Sequence, residues 1–344
     1  MSVVGGLARR LPFVRRPNDS IAQLEAALAA EIQRSKELAE AAANVQRERV
    51  DMRQKEIEML ALVGANLAAL ATRQNDGFRD LRNRLAAGTG ESIGSDLYLD
   101  LLEAELTGTL HEDAESGMRG VRDHDRARRA VGRDWPATSL TMIGTARMQN
   151  LRMLTQRALA EGVEGDLVET GVWRGGACIY MRAILAAAGD AERRVFVADS
   201  FRGLPPPNEA AYPADAGDRL HSYPQLAVSR QQVEANFRQY ELLDERVVFL
   251  EGWFRDTLPT APIKSIAILR LDGDMYESTM DALVSLYAKV SPGGFVIIDD
   301  YHVVRSCAQA VTDFRAREGI QAPLEEVDSV AVWWQVPTAG ETSR

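Results

Sequence analysis

The sequence of 344 residues has few of the features on which disulfide-bonded, zinc-binding and membrane proteins depend. Its two cysteines, Cys178 and Cys307, form neither a disulfide framework nor a spaced metal-ligand motif. No stretch approaches about 18 uninterrupted apolar residues, so no transmembrane helix is predicted. The formal net charge is -10, which argues against nonspecific binding to nucleic acid or to an anionic membrane. The cysteine usage favours a reducing, cytoplasmic setting.

The N-terminal quarter of the chain differs in composition from the rest. Residues 1–17 are basic and lack a long apolar core, so no secretory signal is expected. Residues 18–87 are rich in Ala, Glu, Gln, Arg and Leu, with apolar residues at helical spacing. The two apolar stripes are Ile21, Leu24, Leu28 and Ile32, then Ile57, Leu60, Val63 and Leu67. One isolated helix cannot bury them. We therefore predict a coiled-coil-like helical extension that makes a homo-oligomer or docks a partner; a long solvated helix is the alternative.

The remainder of the chain alternates between short apolar runs and helical patterns. A Gly- and Ser-rich linker is predicted at residues 88–96, then a helical cap or lid region at residues 97–160 that includes a charge-dense surface segment. The apolar runs are "GDLVETG", "RRVFVADS", "RVVFLEG", "SIAILRLDGD", "GGFVIIDD" and "SVAVWWQV". Continuous apolar runs separated by helices are typical of buried parallel strands. Residues 161–338 are therefore predicted to form a doubly wound α/β sheet, followed by a tail at residues 339–344.

The first two predicted strands end in features of a ligand site. "DLVETGVWRGGACIYM" reads as strand, turn and helix, and Gly171, Gly175 and Gly176 let the backbone approach a ligand. The spacing lacks the dinucleotide glycine pattern, and no Walker lysine follows. Ligands of this fold bind beyond the carboxyl ends of the strands. We expect Glu169 to face a ligand amine or hydroxyl, and Asp199 to accept hydrogen bonds from two ribose hydroxyls.

Four aspartates follow the next pair of strands: Asp272 and Asp274 in "LRLDGDMYEST", and Asp299 and Asp300 in "GGFVIIDDY". Adjacent strands bring such residues to one edge of the sheet, where like charges raise each other's pKa unless a cation lies between them. Mg²⁺, or Mn²⁺, suits such oxygen ligands and keeps waters that a substrate diol can replace. The alternative is that the acids cap the following helices, as Asp274 is placed to do. Capping does not need four acids, so the sequence favours a metal site.

Several longer motifs occur in a specific order: "DWPATSLTMIGTARMQNL", "DLVETGVWRGGACIYMRAIL", "VFVADSFRGLPPP", "FLEGWFRDTLPTAPI", "LRLDGDMYESTMDAL" and "SPGGFVIIDDY". Together they resemble the TylF/MycF-type sugar O-methyltransferases, the macrocin O-methyltransferase family, from about Tyr98 to Val336. The resemblance implies a class I methyltransferase fold, with a Rossmann-like doubly wound sheet. It also implies Mg²⁺-dependent transfer of a methyl group from S-adenosylmethionine to a sugar hydroxyl of a glycosylated natural product. Nothing in the resemblance transfers to residues 1–90.

The resemblance also implies roles for the cofactor-binding positions. From the methionine end through the ribose to the adenine, these positions are Glu169, Thr170 and Gly171, then Asp199 and Ser200, then Gly252 and Trp253. S-adenosylmethionine needs no covalent intermediate with the protein. The protein has to align the sulfonium methyl with the attacking oxygen, which is largely a matter of positioning.

For the metal, the resemblance implies that Asp272, Asp299 and Asp300 ligate Mg²⁺. Asp274 is the candidate general base, and Asp272 is the other catalytic candidate. Metal coordination lowers the pKa of a sugar hydroxyl, and a nearby carboxylate then takes its proton. Three aromatic residues are candidate apolar walls of the site: Trp173, Trp253 and Tyr276. The alternative for each is a place in the core, which we expect for at least one of them. His302 is expected to be a polar surface residue.

Two other functions are compatible with the same residues. One keeps the cofactor and metal but takes a catechol-like or other diol as acceptor. The other is a scaffold whose helical arm recruits a partner, although the intact Asp272, Asp299 and Asp300 argue against an inactive enzyme. The predicted partner in the leading hypothesis is a small-molecule glycoside, with no nucleic acid and no membrane.

Overall fold

A computed structural model describes residue 33, residues 91–117 and residues 120–338 of the chain. The chain divides into two units, Met1–Gln74 and Asn75–Arg344, and every described residue except residue 33 belongs to the second. The predicted helical extension, with its proposed oligomerisation role, and the C-terminal tail therefore lie outside the described residues, apart from residue 33. No helix in the described part is long and apolar enough to cross a membrane.

Helices and strands alternate along most of the described chain. The α-helices are α1 (Glu91–Leu106), α2 (Arg126–Ala130), α3 (Gly144–Ala160), α4 (Gly176–Ala187), α5 (Arg230–Gln239), α6 (Phe254–Thr257), α7 (Tyr276–Leu286) and α8 (Arg305–Glu318). The strands are β1 (Glu115–Gly117), β2 (Gly120–Arg122), β3 (Asp166–Thr170), β4 (Val195–Asp199), β5 (Val247–Glu251), β6 (Ile266–Leu271), β7 (Val290–Ile298), β8 (Glu325–Glu326) and β9 (Val332–Gln335). Each predicted apolar run from "GDLVETG" to "SVAVWWQV" contains one strand.

The main sheet has the strand order β5-β4-β3-β6-β7-β9-β8. The chain enters at β3, moves outward through β4 and β5, and returns to β6 on the other side of β3. This reversal opens a crevice at the carboxyl ends of β3 and β6, where open α/β sheets bind ligands. β3 to β7 pair in parallel, whereas β9 pairs antiparallel with β7 and β8 antiparallel with β9. The sheet is thus mixed, because no crossover helix separates β8 from β9.

Alternate residues of each central strand pack into two hydrophobic cores. Leu167 of β3 belongs to the core that contains α1, α3 and α4, whereas the adjacent Val168 belongs to the core that contains α7 and α8. Successive side chains of a strand point to opposite faces, so helices cover both faces of the sheet. This arrangement confirms the predicted α/β architecture of the class I methyltransferase type.

The region before β3 differs from the prediction. Helix α1 begins at Glu91, inside the predicted linker, and residues 91–96 are helical. Leu99, Leu102 and Leu106 of α1 are at most 1% exposed and pack in one core with α3 and α4. Burial of this apolar face outweighs the low helix propensity of the Gly and Ser residues. Residues predicted as a separate cap thus share the core of the sheet.

The charge-dense segment is also more regular than the predicted surface loop. It contains the antiparallel pair β1–β2 and helix α2. Arg129 of α2 is fully buried, forms a two-point ion pair with Asp134, and donates to the carbonyl oxygens of Thr107 and Asp113. A guanidinium is stable in the interior only when its donors are satisfied in this way. The network fixes the segment beside the crevice.

Candidate active site

One cavity of about 580 Å³ lies at the carboxyl ends of β3, β4, β5, β6 and β7. It brings together most of the residues predicted for cofactor, metal and catalysis. The predicted residues that line it are Gly171, Asp199, Ser200, Gly252, Trp253, Asp272, Asp274, Asp299 and Asp300. Glu169 and Thr170 do not line it.

Gly171 allows the ends of β3 and β6 to approach each other. Its φ is +83°, and a Cβ atom at this position would lie 1.8 Å from the carbonyl oxygen of Asp272. The backbone N–H of Asp272 donates to the carbonyl oxygen of Thr170 at 2.8 Å. Any side chain at Gly171 would separate these strands, so the glycine allows Asp272 to lie beside the predicted cofactor side of the cavity.

Asp199, at the end of β4, links the loops that form the predicted ribose side. Its two carboxylate oxygens accept backbone N–H bonds from Val172 at 2.8 Å and from Phe201 at 2.7 Å. Burial raises the pKa of Asp199, and these backbone bonds oppose the shift. Each carboxylate oxygen has a second lone pair, so Asp199 retains capacity for ligand hydroxyls. The N–H of Gly252 donates to the backbone carbonyl of Asp199, which brings the predicted adenine side alongside.

Asp272, Asp299 and Asp300 form the predicted metal cluster. One carboxylate oxygen from each lies within 4.8 Å of the others. Oδ2 of Asp300 is buried and has no hydrogen-bond partner. Burial, followed by the charges of Asp274, Asp272 and Asp299, raises the pKa of Asp300 well above its ordinary value. A hard divalent cation would coordinate this unsatisfied oxygen and offset the repulsion between the carboxylates. These residues therefore fit Mg²⁺ or Mn²⁺.

Asp274 lies beside this cluster and does not cap α7. The backbone N–H groups of Tyr276 and Glu277, in the first turn of α7, donate to the carboxylate of Asp215, which is 1% exposed. Asp274 has a φ of +56°, a conformation that costs a non-glycine residue about 1–3 kcal/mol. The capping alternative is therefore wrong for Asp274. Asp215 comes from the long β4–α5 connection, and no local pattern identifies it as a cap.

Two buried arginines at the aspartate cluster were not predicted from the sequence. Arg270, in β6, is 1% exposed and donates to Glu169 at 2.5 Å, to Asp272 at 2.8 Å and to Asp299. Arg147, in α3, pairs with the other oxygen of Asp299. The sequence signal for Arg270 is a single charged residue within the apolar run "IAILRL". A buried charge of this kind needs partners of opposite charge.

The placement of Glu169 differs from the expectation. Its carboxylate is 2% exposed, accepts from Arg270 on one oxygen, and accepts from the Cys178 thiol at 2.7 Å on the other. Burial raises the pKa of Glu169 to about 7, against the charge of Arg270. The side chain therefore faces away from the cavity, and its role at the cofactor stays a prediction.

The walls of the cavity combine predicted and unpredicted side chains. Trp173 and Trp253 line it as expected, and Trp135 and Met142 from the region before β3 line it as well. Tyr276 does not line it; its hydroxyl donates to Asp313 at 3.1 Å. His302 pairs with Glu326 at 2.7 Å and is likewise outside the cavity lining.

The family model described as macrocin O-methyltransferase (TylF) matches residues 101–336. The chain belongs to the macrocin O-methyltransferase family. It is an S-adenosylmethionine-dependent O-methyltransferase. The matched residues include every cavity residue predicted from the sequence, whereas residues 1–100 lie outside the match.

Relatives of this macrocin O-methyltransferase family member are similar over nearly their whole length. The 8-demethyl-8-(2,3-dimethoxy-alpha-L-rhamnosyl)-tetracenomycin-C 4'-O-methyltransferase of Streptomyces olivaceus is 50% identical, over 72% of this chain and 95% of the relative. The mycinamicin III 3''-O-methyltransferase of Micromonospora griseorubida is 45% identical, over 71% and 98%. The solved structure of the O-methyltransferase NovP is 50% identical with a TM-score of 0.68, and the match covers 71% of this chain and 99% of that chain.

Proposed function

We propose that this enzyme transfers a methyl group from S-adenosylmethionine to a sugar hydroxyl of a glycosylated natural product, with Mg²⁺ as the metal. The observation that carries the proposal is the convergence of Asp272, Asp299 and Asp300 within 4.8 Å, in one cavity with the cofactor candidates. The named relative from Streptomyces olivaceus supports the sugar acceptor, since its name places the methylation on a rhamnosyl tetracenomycin.

The cofactor would lie along the ends of β3, β4 and β5. The backbone of Gly171 would contact the methionine end of the cofactor, and Asp199 would accept hydrogen bonds from the ribose hydroxyls. Gly252 and Trp253 would lie next to the adenine. These four residues line the cavity, which supports the assignment. Binding here holds the methyl group towards the ends of β6 and β7, where the acceptor oxygen has to lie for an in-line displacement.

Asp272, Asp299 and Asp300 would hold the Mg²⁺ ion, which when bound fixes an acceptor hydroxyl and lowers its pKa. Asp274 would take the hydroxyl proton. Burial, followed by the charges of Asp272 and Asp299, raises the pKa of Asp274 well above its ordinary value. The position of Asp274 in the same cavity as the proposed metal ligands supports this role.

The cavity walls favour one second candidate, a catechol-like acceptor. Trp135 and Trp173 both line the cavity, and aromatic faces stack well on a flat diol. The same faces also suit an aromatic aglycone that carries the methylated sugar. The two acceptors therefore need to be compared directly.

A matched acceptor pair tests the proposal. Release of S-adenosylhomocysteine would be measured with a phenyl rhamnoside and with catechol, each with Mg²⁺ and with EDTA. We expect turnover of the rhamnoside that EDTA abolishes and Mg²⁺ restores, with the new methyl located on a sugar oxygen by NMR. Turnover of catechol alone would establish the second candidate, and full turnover in EDTA would exclude the metal.

A further inference from the structure

Arg270 joins three neighbouring strands through a single guanidinium. It lies in β6 next to the last strand residue, and its side chain is 1% exposed. Its three partners are Glu169 of β3, Asp272 after β6 and Asp299 after β7. Burying a guanidinium costs several kcal/mol unless its donors are paired. A buried arginine with three paired carboxylates therefore lies directly beside Asp272, the first predicted metal ligand in the chain.

The three carboxylates differ in what else they contact. Asp272 and Asp299 line the cavity and belong to the metal cluster. Glu169 lies behind the guanidinium, outside the cavity lining, and its second oxygen is occupied by the Cys178 thiol. From the interior towards the cavity, the contacting groups are thus the Cys178 thiol, the Glu169 carboxylate, the Arg270 guanidinium and the carboxylates of Asp272 and Asp299.

We propose that Arg270 is a positioning residue that fixes Asp272 and Asp299 for a divalent cation, and that Glu169 acts through Arg270 rather than by contact with the cofactor. The guanidinium holds one oxygen of each aspartate, and Arg147 holds the other oxygen of Asp299. The carboxylates are thereby fixed in direction, and their remaining lone pairs are available to the cluster. Glu169 balances the charge of Arg270. Without that balance the guanidinium would repel an incoming cation more strongly.

This inference rests on the proposed metal, so the experiment measures metal and cofactor separately on the full chain. Mn²⁺ binding would be followed by electron paramagnetic resonance, and S-adenosylhomocysteine binding by calorimetry without metal. Both would be measured at about pH 8, above the raised pKa of Glu169 of about 7. Glu169→Gln keeps the shape of the side chain and removes its charge, and Arg270→Lys keeps the charge and removes the fork.

We expect each variant to weaken Mn²⁺ affinity by about 10–100-fold, the usual effect of losing a residue that orients a metal ligand. S-adenosylhomocysteine affinity should stay within about twofold, because neither side chain lines the cavity. Glu103→Gln is the matched control. Glu103 is a buried glutamate of α1, bonded to Gln149 and Tyr180, and its replacement should leave Mn²⁺ affinity unchanged.

The possible failures are distinct. Wild-type protein that binds no Mn²⁺ would overturn the proposed metal and this inference together. Normal Mn²⁺ affinity in a folded Glu169→Gln protein, or an equal loss in Glu103→Gln, would overturn this inference alone. Selective loss of S-adenosylhomocysteine affinity in Glu169→Gln would assign the carboxylate to the cofactor instead. If Arg270→Lys does not fold, Glu169→Gln still decides the question.

Discussion

Asp299 is the carboxylate of the site with the most charged partners. One oxygen accepts from Arg270 and the other from Arg147, while Asp272 and Asp300 lie close by. Both arginines balance the charge of this carboxylate, which is almost completely buried. At the scale of single residues, the site therefore consists of buried charges of opposite sign. Removal of one charge should change ligand affinity measurably.

The first prediction concerns Asp299→Asn. We expect it to weaken Mg²⁺ binding by at least about tenfold, because a charged ligand is lost, while S-adenosylhomocysteine binding changes little. Calorimetric titration of each ligand measures both effects. Asp328→Asn is the control, since Asp328 also pairs with Arg147 but lies outside the metal cluster. Equal effects of the two substitutions on Mg²⁺ would contradict the assignment.

The second prediction concerns Asp199→Asn. The carboxylate would lose charge-assisted bonds to the ribose, each worth about 1.5–3 kcal/mol, so S-adenosylhomocysteine affinity should fall by at least about tenfold. Calorimetry without metal measures this loss. Thermal denaturation of the free protein separates it from a folding defect, because Asp199 also holds Val172 and Phe201. Undiminished affinity would show that the ribose lies elsewhere.

At the scale of elements, α7 depends on a residue far away in sequence. Asp215 accepts from the N–H groups of Tyr276 and Glu277, as an N-cap residue would. Negative charge at a helix N-terminus also complements the helix dipole. Helix α7 begins two residues after Asp274, so the same contact supports the backbone turn that contains the proposed base.

The third prediction is that Asp215→Ala lowers the free energy of unfolding by about 0.5–2 kcal/mol, the range measured for lost N-caps. For a domain of this size, each kcal/mol of unfolding free energy that is lost lowers Tm by about 2–4 °C. Thermal denaturation measures it. Asp218→Ala is the control, since the carboxylate of Asp218 accepts a bond from the backbone N–H of Leu220 in the same connection and none from α7. A larger effect from Asp218→Ala would sink the capping argument.

The fourth prediction concerns Asp281 of α7 and the dependence of stability on pH. Burial, followed by the charge of Glu277, raises its pKa from 3.8 to about 6. Between these two values the folded protein holds a proton that the unfolded chain releases, so the contribution of Asp281 to stability is lost as pH rises through about 6.

Asp281→Asn should therefore raise Tm relative to wild type more at about pH 7 than at about pH 4. Asp281→Glu keeps a carboxyl group and should keep the wild-type pH dependence. Scanning calorimetry at the two pH values measures the difference. A gain of the same size at both values would show that the carboxyl of Asp281 does not titrate in this window.

The elements predicted from the sequence are those defined by local pattern. The buried strands and the aspartates after β6 and β7 were predicted because apolar runs and their end residues are visible in short windows. The Asp215 cap, the Arg147 contact and the β1–β2 pair were not, because each depends on residues distant in sequence or on a charge-rich segment. Arg270 was visible but could not be given partners without the strand register.

At the scale of the whole molecule, the prediction concerns the N-terminal extension. Its structure lies outside the described residues, and its role in assembly stays a prediction from the stripes at Ile21–Ile32 and Ile57–Leu67. Among the described residues, those that line the cavity all come after residue 114, and α1 begins at Glu91. The predicted cofactor and metal residues of the cavity thus all lie within the range that the family model matches.

The fifth prediction is that a chain lacking residues 1–88 binds S-adenosylhomocysteine normally and forms a smaller oligomer than the full chain. Light scattering coupled to size-exclusion chromatography measures the mass per particle. An unchanged number of chains per particle would exclude the extension as the assembly element. Capture of partner proteins by residues 1–90 would then test recruitment.

The contact between Asp215 and α7 also bears on how the shape of the cavity can be altered by laboratory evolution. Asp215 lies near the midpoint of the β4–α5 connection and binds the start of α7. Leu204 and Pro205 precede it in this connection, and Leu220 and Leu226 follow it. All four of these side chains face the cavity. Libraries that vary the two stretches separately, with Asp215 retained, can therefore reshape this wall of the cavity in two independent portions while the start of α7 stays in place.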